Sequence, residues 1–243
     1  MTTLFISDLH LDASRPQITR LFVDFVRNEA TRAKALYILG DLFEAWIGDD
    51  TADETATEVA TALADLHAHG VPCFFIHGNR DFLLGDAYAR RAHMTLLPDA
   101  CVIGIEGERV LLMHGDTLCT DDAPYQAFRM QSRESAWQHG FLARPIAERQ
   151  MFAEQARAES RRYTRSVDDA ITDVNHEAVS AALRLHGVQR LIHGHTHRPA
   201  VHRIDRDGAP AQRIVLGDWY EHGSILRADA EGWALSVLAH SAP

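Results

Sequence analysis

Cysteine is scarce in this chain and cannot staple it. Cys73, Cys101 and Cys119 are odd in number and form no CxxC pair, which argues against a disulfide framework and fits a reducing compartment. No apolar run approaches the roughly 20 residues that a bilayer-spanning helix needs, so membrane contact is expected to be peripheral. Candidate functional residues begin at Asp8, too early for a basic segment, an apolar segment and a cleavage site, and a cytoplasmic location is the expectation. Positive charge is also short: the formal net charge is −10, a poor match to a general nucleic-acid binder. There is no internal repeat, low-complexity tract or Gly/Ser linker, and 243 residues suffice for one well-buried core. The expectation is a single domain over 1–243.

The acidity is uneven. From Pro124 to Ser166 there are eight Arg and four Glu with no Lys or Asp, so this segment carries +4 and the remainder −14. An anionic partner fits such a patch. The same stretch is rich in apolar residues (Phe128, Trp137, Phe141, Leu142, Ile146, Met151 and Phe152) and is followed by Arg157, Arg161, Arg162 and Arg165. It lies within the 77 residues between Asp116 and Gly194, far more than one connection between neighbouring strands requires. A helical cap insertion at about 120–168 is the economical reading. Ordinary helix packing with a solvated face is one account of its composition, and a cap receiving something both greasy and anionic is the other.

Elsewhere strand-like and helical patterns alternate. Leu4-Phe5-Ile6 is followed by Ile18, Leu21, Phe22, Phe25 and Val26 at helical spacing, then by Ala35 to Leu39. A helix from about Ala52 to His69, closed by Gly70, precedes the strand Cys73 to Ile76. Parallel βαβ pairing follows. Val102 to Ile105 and Val110 to Met113 flank Gly107 and Glu108 as a hairpin, and later strands are expected near Leu191-Ile192, Ile214 to Leu216, Ile225-Leu226 and Ala234 to Leu238. The fold class is α/β, with two sheets covered by helices.

Seven metal-ligating side chains fall where these apolar runs stop: Asp8 and His10, Asp41, Asn79, His114, His195 and His197. Residues i and i+2 of an extended segment share a face, so Asp8 and His10 can chelate one ion through oxygen and nitrogen. The carboxylate of Asp41, after Gly40, has two oxygens with which to bridge two cations. The neutral amide of Asn79 adds an oxygen ligand without charge. Two His separated by one residue, His195 and His197, commonly indicate metal. Each segment alone is weak, since the chain has 15 His; five in order, each at a strand end, read as a two-metal site. His77 and His193 point to the opposite strand face and are expected to pack inside.

The ordered segments Asp-x-His, Gly-Asp-x-x-Glu, Gly-Asn-x-Asp, His-Gly-Asp and Gly-His-x-His resemble the calcineurin-like metallophosphoesterase superfamily over nearly the whole chain. The resemblance implies a β-sandwich flanked by helices. It also implies one ion held by Asp8, His10, Asp41 and His197 and a second by Asp41, Asn79, His114 and His195, with the attacking group a metal-activated water. Glu44, Asp81 and Asp116 are candidates to fix the tautomers of the His ligands, and Asp49, Asp50 and His222 to line the site.

One position departs from the common superfamily pattern, which has His where this chain has Arg80. Arginine cannot serve as a general acid. A phosphate leaving group, unlike an alkoxide, needs charge stabilisation more than a proton, which a planar guanidinium supplies. Arg80 therefore favours a diphosphate substrate, pairing with a neighbouring acid being the bland alternative. The long runs Ile6 to Leu11, Gly40 to Asp50, Gly78 to Gly85 and Leu216 to Tyr220 resemble the UDP-2,3-diacylglucosamine pyrophosphatases of the lipid A pathway. That narrower resemblance implies two Mn²⁺ per chain, hydrolysis to UMP and 2,3-diacylglucosamine 1-phosphate, and peripheral association with the cytoplasmic face of the inner membrane. By family position Asp41, Asn79, Arg80 and His195 are the catalytic candidates. Asn79, Arg80, Asp122, Tyr125, Ser160, Thr164 and His195 are the substrate contacts, while Val167 stands where relatives often have Lys, with Arg162 or Arg165 as electrostatic substitutes. No nucleic acid or obligate protein partner is expected. The rivals are another metallophosphoesterase substrate, a hydrolase of soluble nucleotide sugars, and a non-catalytic scaffold on the same fold.

Overall fold

Leu4 and Ile6 pack into one core while Phe5 between them enters another. Alternation of this kind, forced by the two-residue period of a strand, sets the layering of the molecule. The structure is a computed structural model and describes residues 1–206 and 208–238; the end of the expected domain, 239–243, lies outside the described residues. Strands β1 (Thr3–Ile6), β2 (Ala35–Ile38), β3 (Cys73–Ile76) and β4 (Met94–Leu97) pair in parallel. The second sheet runs through β5 (Ala100–Ile105), β6 (Glu108–Met113), β7 (Arg190–His193), β8 (Ala200–Arg206) and β9 (Ala209–Val215) in the order β5-β6-β7-β9-β8. Antiparallel β10 (Gly223–Asp229) and β11 (Gly232–Leu238) complete the first sheet, ordered β11-β10-β1-β2-β3-β4.

Phe5, Leu39 and Ile76 from the first sheet meet Val110, Leu112, Ile192 and Ile214 from the second, forming the core between the sheets. The outer face of the first sheet packs on α1 (Pro16–Asn28) and α2 (Glu54–Ala68) through Leu36, Ile38 and Phe75 against Ile18, Phe22, Val59 and Leu63. Leaving water stabilises each such side chain by roughly 1.5–3 kcal/mol. Pro16 opens α1, and the Asp53 carboxylate caps α2 by accepting the Ala56 N–H at 2.8 Å. Strands buried on both faces read as continuous apolar runs, as β1 and β3 do.

Three elements were not anticipated. Helix α3 (Asp86–Arg91) is only six residues long, β4 follows it directly, and β8 is an edge strand whose charged residues (Arg203, Asp205, Arg206) weaken its apolar signal. The hairpin turn is Glu106-Gly107, both with positive φ (47° and 84°), and Glu108 already pairs with Ile105 in the ladder.

Between β6 and β7 lie α4 (Ala123–Ser132), α5 (Ser135–Leu142), α6 (Ile146–Thr164), α7 (Asp169–Thr172) and α8 (His176–His186). Helix α8 covers the outer face of the second sheet through Val179 and Leu183 against Leu111 and Leu191. Its Asn175 side chain accepts the Glu177 and Ala178 N–H groups, and Gly187 closes it in the left-handed region at φ 61°. Helices α5 and α6 attach elsewhere: Phe141 joins the core that α1 and α2 share with the first sheet, and Trp137, Phe152 and Phe82 pack against it. Met130, Leu142, Ile146 and Met151 remain exposed.

Candidate metal centre

The C-terminal ends of β1, β2 and β3 deliver Asp8, His10, Asp41 and Asn79, and those of β6 and β7 deliver His114, His195 and His197. The strand extensions are locked together: Asp8 N donates to Gly40 O at 3.0 Å and His10 N to Asp41 O at 2.9 Å. All seven expected ligands converge. His10 Nε2 lies 3.2 Å from His197 Nε2 and 3.8 Å from Asp41 Oδ2, and His197 Nε2 lies 3.4 Å from Asp8 Oδ1. On the other side His114 Nε2 is 3.8 Å from Asp41 Oδ1, and Asn79 Oδ1 stands 2.9 Å from both His114 Nε2 and His195 Nδ1. Asp41 faces both groups.

The backbone bends unusually to achieve this. Asp8, His10, Asp41, His195 and His197 all have positive φ, between 50° and 68°, and make up five of the seven non-glycine residues with this conformation among the described residues. Such conformations cost energy and persist where the surroundings enforce them, often at functional sites. Glycine provides the room: a Cβ on Gly194 would overlap Ser7 Oγ and Asp8 Oδ2.

The donors fit divalent cations. Asp8 Oδ1 is buried with no hydrogen-bond partner, an expensive condition for a carboxylate oxygen. The mixed oxygen and imidazole set suits first-row divalent metals. Asp8 with His10 and His197, and Asp8 with Asp41 and His114, each present ligand atoms within 4.8 Å of one another. Burial alone would raise the Asp8 carboxyl, but the nearby imidazole of His197, with His114 and His10, holds it well below the usual range. Burial would lower His114, yet Asp41, Asp8 and Asp116 overcome it and raise the imidazole to about 9. Burial and the charge on His114 push His195 down to about 4. The carboxylates thus retain a proton on His114 that a cation would displace, because a ligating His must be neutral.

The surrounding contacts revise several expectations. Glu44 Oε2 lies 3.2 Å from His10 Nδ1, beside the His it was expected to orient, but neither atom makes a hydrogen bond. His114 instead uses a backbone carbonyl, with Nδ1 2.8 Å from Leu39 O, and His197 Nδ1 faces Asp218 Oδ2 at 3.5 Å. Asp81 binds backbone, accepting from Gly78 N at 2.9 Å and Leu42 N at 2.7 Å. Asp116 accepts from Tyr125 Oη at 2.5 Å and Arg129 Nε at 2.7 Å, which ties α4 down. Asp49 holds the Gly85 and Tyr88 N–H groups, Asp50 holds Arg149, and His222 is exposed, so the two acids brace the loops around the site rather than line it. His193 is buried and burial lowers it to about 3, as expected of a packed residue, whereas His77 is half-buried with Nε2 2.7 Å from Leu84 O.

The substrate candidates divide. The Tyr125 ring centroid is 6.0 Å from that of His195, and Asp122 is buried as the cap of α4. Ser160 and Thr164 are exposed, and by helical spacing share a face with Arg157. Arg80 N donates to Asp41 Oδ1 at 2.8 Å, and its Nε is buried without a partner. Arg157 had been read only as part of a basic stretch, but Nη1 comes within 3.8 Å of Glu44 Oε1. Burial would raise the Glu44 carboxyl, while His10, Arg80 and Arg157 hold it down. Tyr220, whose ring stacks on His10 at 5.2 Å and carries Arg15 on it at 4.7 Å, was missed as a site residue because along the sequence it lies outside every ligand segment.

A protein named UDP-2,3-diacylglucosamine hydrolase from Stenotrophomonas maltophilia strain K279a is 57% identical, aligned over 98% of this chain and 99% of its own. One of the same name from Xanthomonas campestris pv. campestris is 55% identical over 98% and 100%. A solved structure of an archaeal phosphodiesterase aligns over 98% of this chain and 100% of its own at TM-score 0.49 and 12% identity, too distant for any inference here. The model of the calcineurin-like phosphoesterases matches residues 1–199, a stretch that runs from β1 through every one of the seven converging side chains. With that match and two close full-length relatives, the chain belongs to the calcineurin-like phosphoesterase family.

Proposed function

We propose that the chain hydrolyses the diphosphate of UDP-2,3-diacylglucosamine in lipid A biosynthesis, by attack of water on the α-phosphorus, releasing UMP and 2,3-diacylglucosamine 1-phosphate. The observation that carries this reading is Arg80 at the edge of the converging ligands, its Nε buried and unpartnered. The substrate named for the two close relatives supports it. Asp8, His10, Asp41 and His197 would hold one divalent ion and Asp41, Asn79, His114 and His195 the other, Mn²⁺ being the metal we expect. When bound, such a pair acts as a Lewis acid on the phosphoryl group and lowers the pKa of the attacking water.

The protein's own groups do the rest. Asp41 accepts the Arg80 N–H and so couples the turn that presents the guanidinium to the carboxylate at the centre of the site. Arg80 cannot donate its proton to a leaving group, so it binds and neutralises a departing phosphate. Asn79, Asp122, Tyr125, Ser160, Thr164 and His195 form the wall facing the sugar phosphate. Helices α4–α6 act as a cap within a single domain over 1–243, and the Phe82, Trp137, Phe141 and Phe152 cluster is the apolar floor near which acyl chains lie. Burial of each acyl methylene would contribute about 0.8 kcal/mol. No described helix is long and apolar enough to cross a membrane; we place the protein in the cytoplasm, peripheral to the inner membrane, without an obligate protein partner.

The test is release of UMP from UDP-2,3-diacylglucosamine by purified protein with Mn²⁺, beside UDP-N-acetylglucosamine and an alkyl phosphodiester. Brisk turnover of either control with none of the lipid substrate would sink the proposal.

A further inference from the structure

Among the described residues, Arg157 is the arginine of the helical segment that approaches Glu44, the carboxylate beside the expected ligand His10. Arg129 is spent on Asp116 and Asp99, Arg133 on Gly78 O at 2.9 Å, and Arg149 on Asp50 and Ile47 O. Arg157 is different: its Nη1 lies at 3.8 Å from Glu44 Oε1, beyond hydrogen-bond distance, and its Nε is buried without a partner. Arg80 shares that condition, with a buried unpartnered Nε of its own. Arg157 faces Glu44, whose second oxygen lies 3.2 Å from His10 Nδ1, and Arg80 follows Asn79 at the rim of the same cluster. Two buried guanidinium Nε groups without partners are unused planar donors, which is what an incoming phosphate requires and what an arginine fork is shaped to bind.

We infer that Arg157 is a second diphosphate-binding residue, acting with Arg80 on the phosphate that is not attacked. Helix α6 supplies it, so the cap contributes charge to the reaction as well as apolar surface. Ser160 and Thr164 follow on the same helical face, continuing a polar stripe away from the phosphate toward the sugar. This rests on the proposed diphosphate chemistry, and the experiment separates the two.

Binding of UDP and of UMP to the Mn²⁺-loaded protein is measured by calorimetry for wild type, Arg157→Gln and Arg157→Lys, together with Mn²⁺ affinity of the metal-free proteins. Arg157→Gln is expected to weaken UDP about tenfold, equivalent to about 1.4 kcal/mol, to change UMP less than threefold, and to leave Mn²⁺ affinity within twofold; Lys should restore part of the loss. Equal losses for UDP and UMP would overturn the inference, as would a fall in Mn²⁺ affinity, which would make Arg157 a positioning residue for Glu44 and His10. Both readouts stand even if the lipid substrate is not turned over, a result that would count against the proposed function alone.

Discussion

The strand-end cluster and helices α4–α6, the proposed cap, adjoin but are held by different means. Asp8, His10, Asp41 and His114 are at most 2% exposed and sit on backbone that is braced from strand to strand. The cap is tied down by side chains: Arg129 to Asp116, Arg133 to Gly78 O, Arg149 to Asp50 and Arg157 toward Glu44. Buried ligands on strained backbone have no freedom to adjust, whereas long arginine side chains do. Metal binding should therefore be all-or-none to substitution, and cap contacts graded.

The largest effect is expected at Asp41, the carboxylate facing both ligand groups. Asp41→Ala should abolish binding of both ions and lower activity about 10³-fold or more, since the metals supply several kcal/mol and each 1.36 kcal/mol is a factor of ten. Metal content by mass spectrometry checks it; two ions retained would remove Asp41 from the bridge. A smaller effect is expected one contact further out. Glu44→Gln keeps the shape but removes the charge beside His10 Nδ1, and should weaken Mn²⁺ binding about 10- to 100-fold. Unchanged calorimetric affinity would show that the 3.2 Å approach has no orienting role.

The same division explains what could be read in the sequence. Strand-end polar residues announce themselves because each apolar run must stop where its polar residue begins, so the convergence of Asp8, Asp41, Asn79, His114 and His195 was legible, as were β1 to β3 and the buried face of α1. The positive φ values at Asp8, His10 and Asp41 could not be read from residue type, because Asp and His, although enriched in that conformation, mostly adopt others. Arginine partners were illegible for another reason. Arg149 and Asp50 are 99 residues apart, and no local pattern distinguishes a buried tie from a solvated face. Asp49, Asp81 and Asp116 were misplaced similarly: proximity in sequence to a ligand does not say whether a carboxylate turns to the metal or to a loop.

Arg149 tests whether the cap's attachment is separable from the metal centre. Its side chain is 2% exposed, but that of Asp50 is 57% exposed, so solvent screens the ion pair and leaves it worth little. The larger loss on Arg149→Met is of donors to Ile47 O and Arg144 O, about 1–3 kcal/mol. Hydrogen exchange in α6 should accelerate while β1 and β2 keep their protection and Mn²⁺ affinity holds. Equal acceleration in both regions would mean that cap and sheets unfold as one.

The smallest effect is expected from acid at the hinge between the two regions. Burial would raise the Asp116 carboxyl, but His114, Arg129 and His195, with the Tyr125 hydroxyl, hold it well below the usual carboxylate range. A carboxyl depressed in the folded state favours folding above its unfolded pKa of about 3.9, and that contribution disappears as pH falls toward the native value. The anchor of α4 should therefore be intact through neutral pH and weaken only below about pH 4. Asp116→Asn keeps an acceptor for Tyr125 and Arg129 but cannot titrate. Metal-free wild type should accordingly lose thermal stability between about pH 4 and pH 3 more steeply than the Asn variant, while the Asn variant is the less stable of the two at pH 7. Identical slopes would show that this carboxyl, although it links the His-Gly-Asp turn to the cap, does not carry the acid sensitivity of the joint.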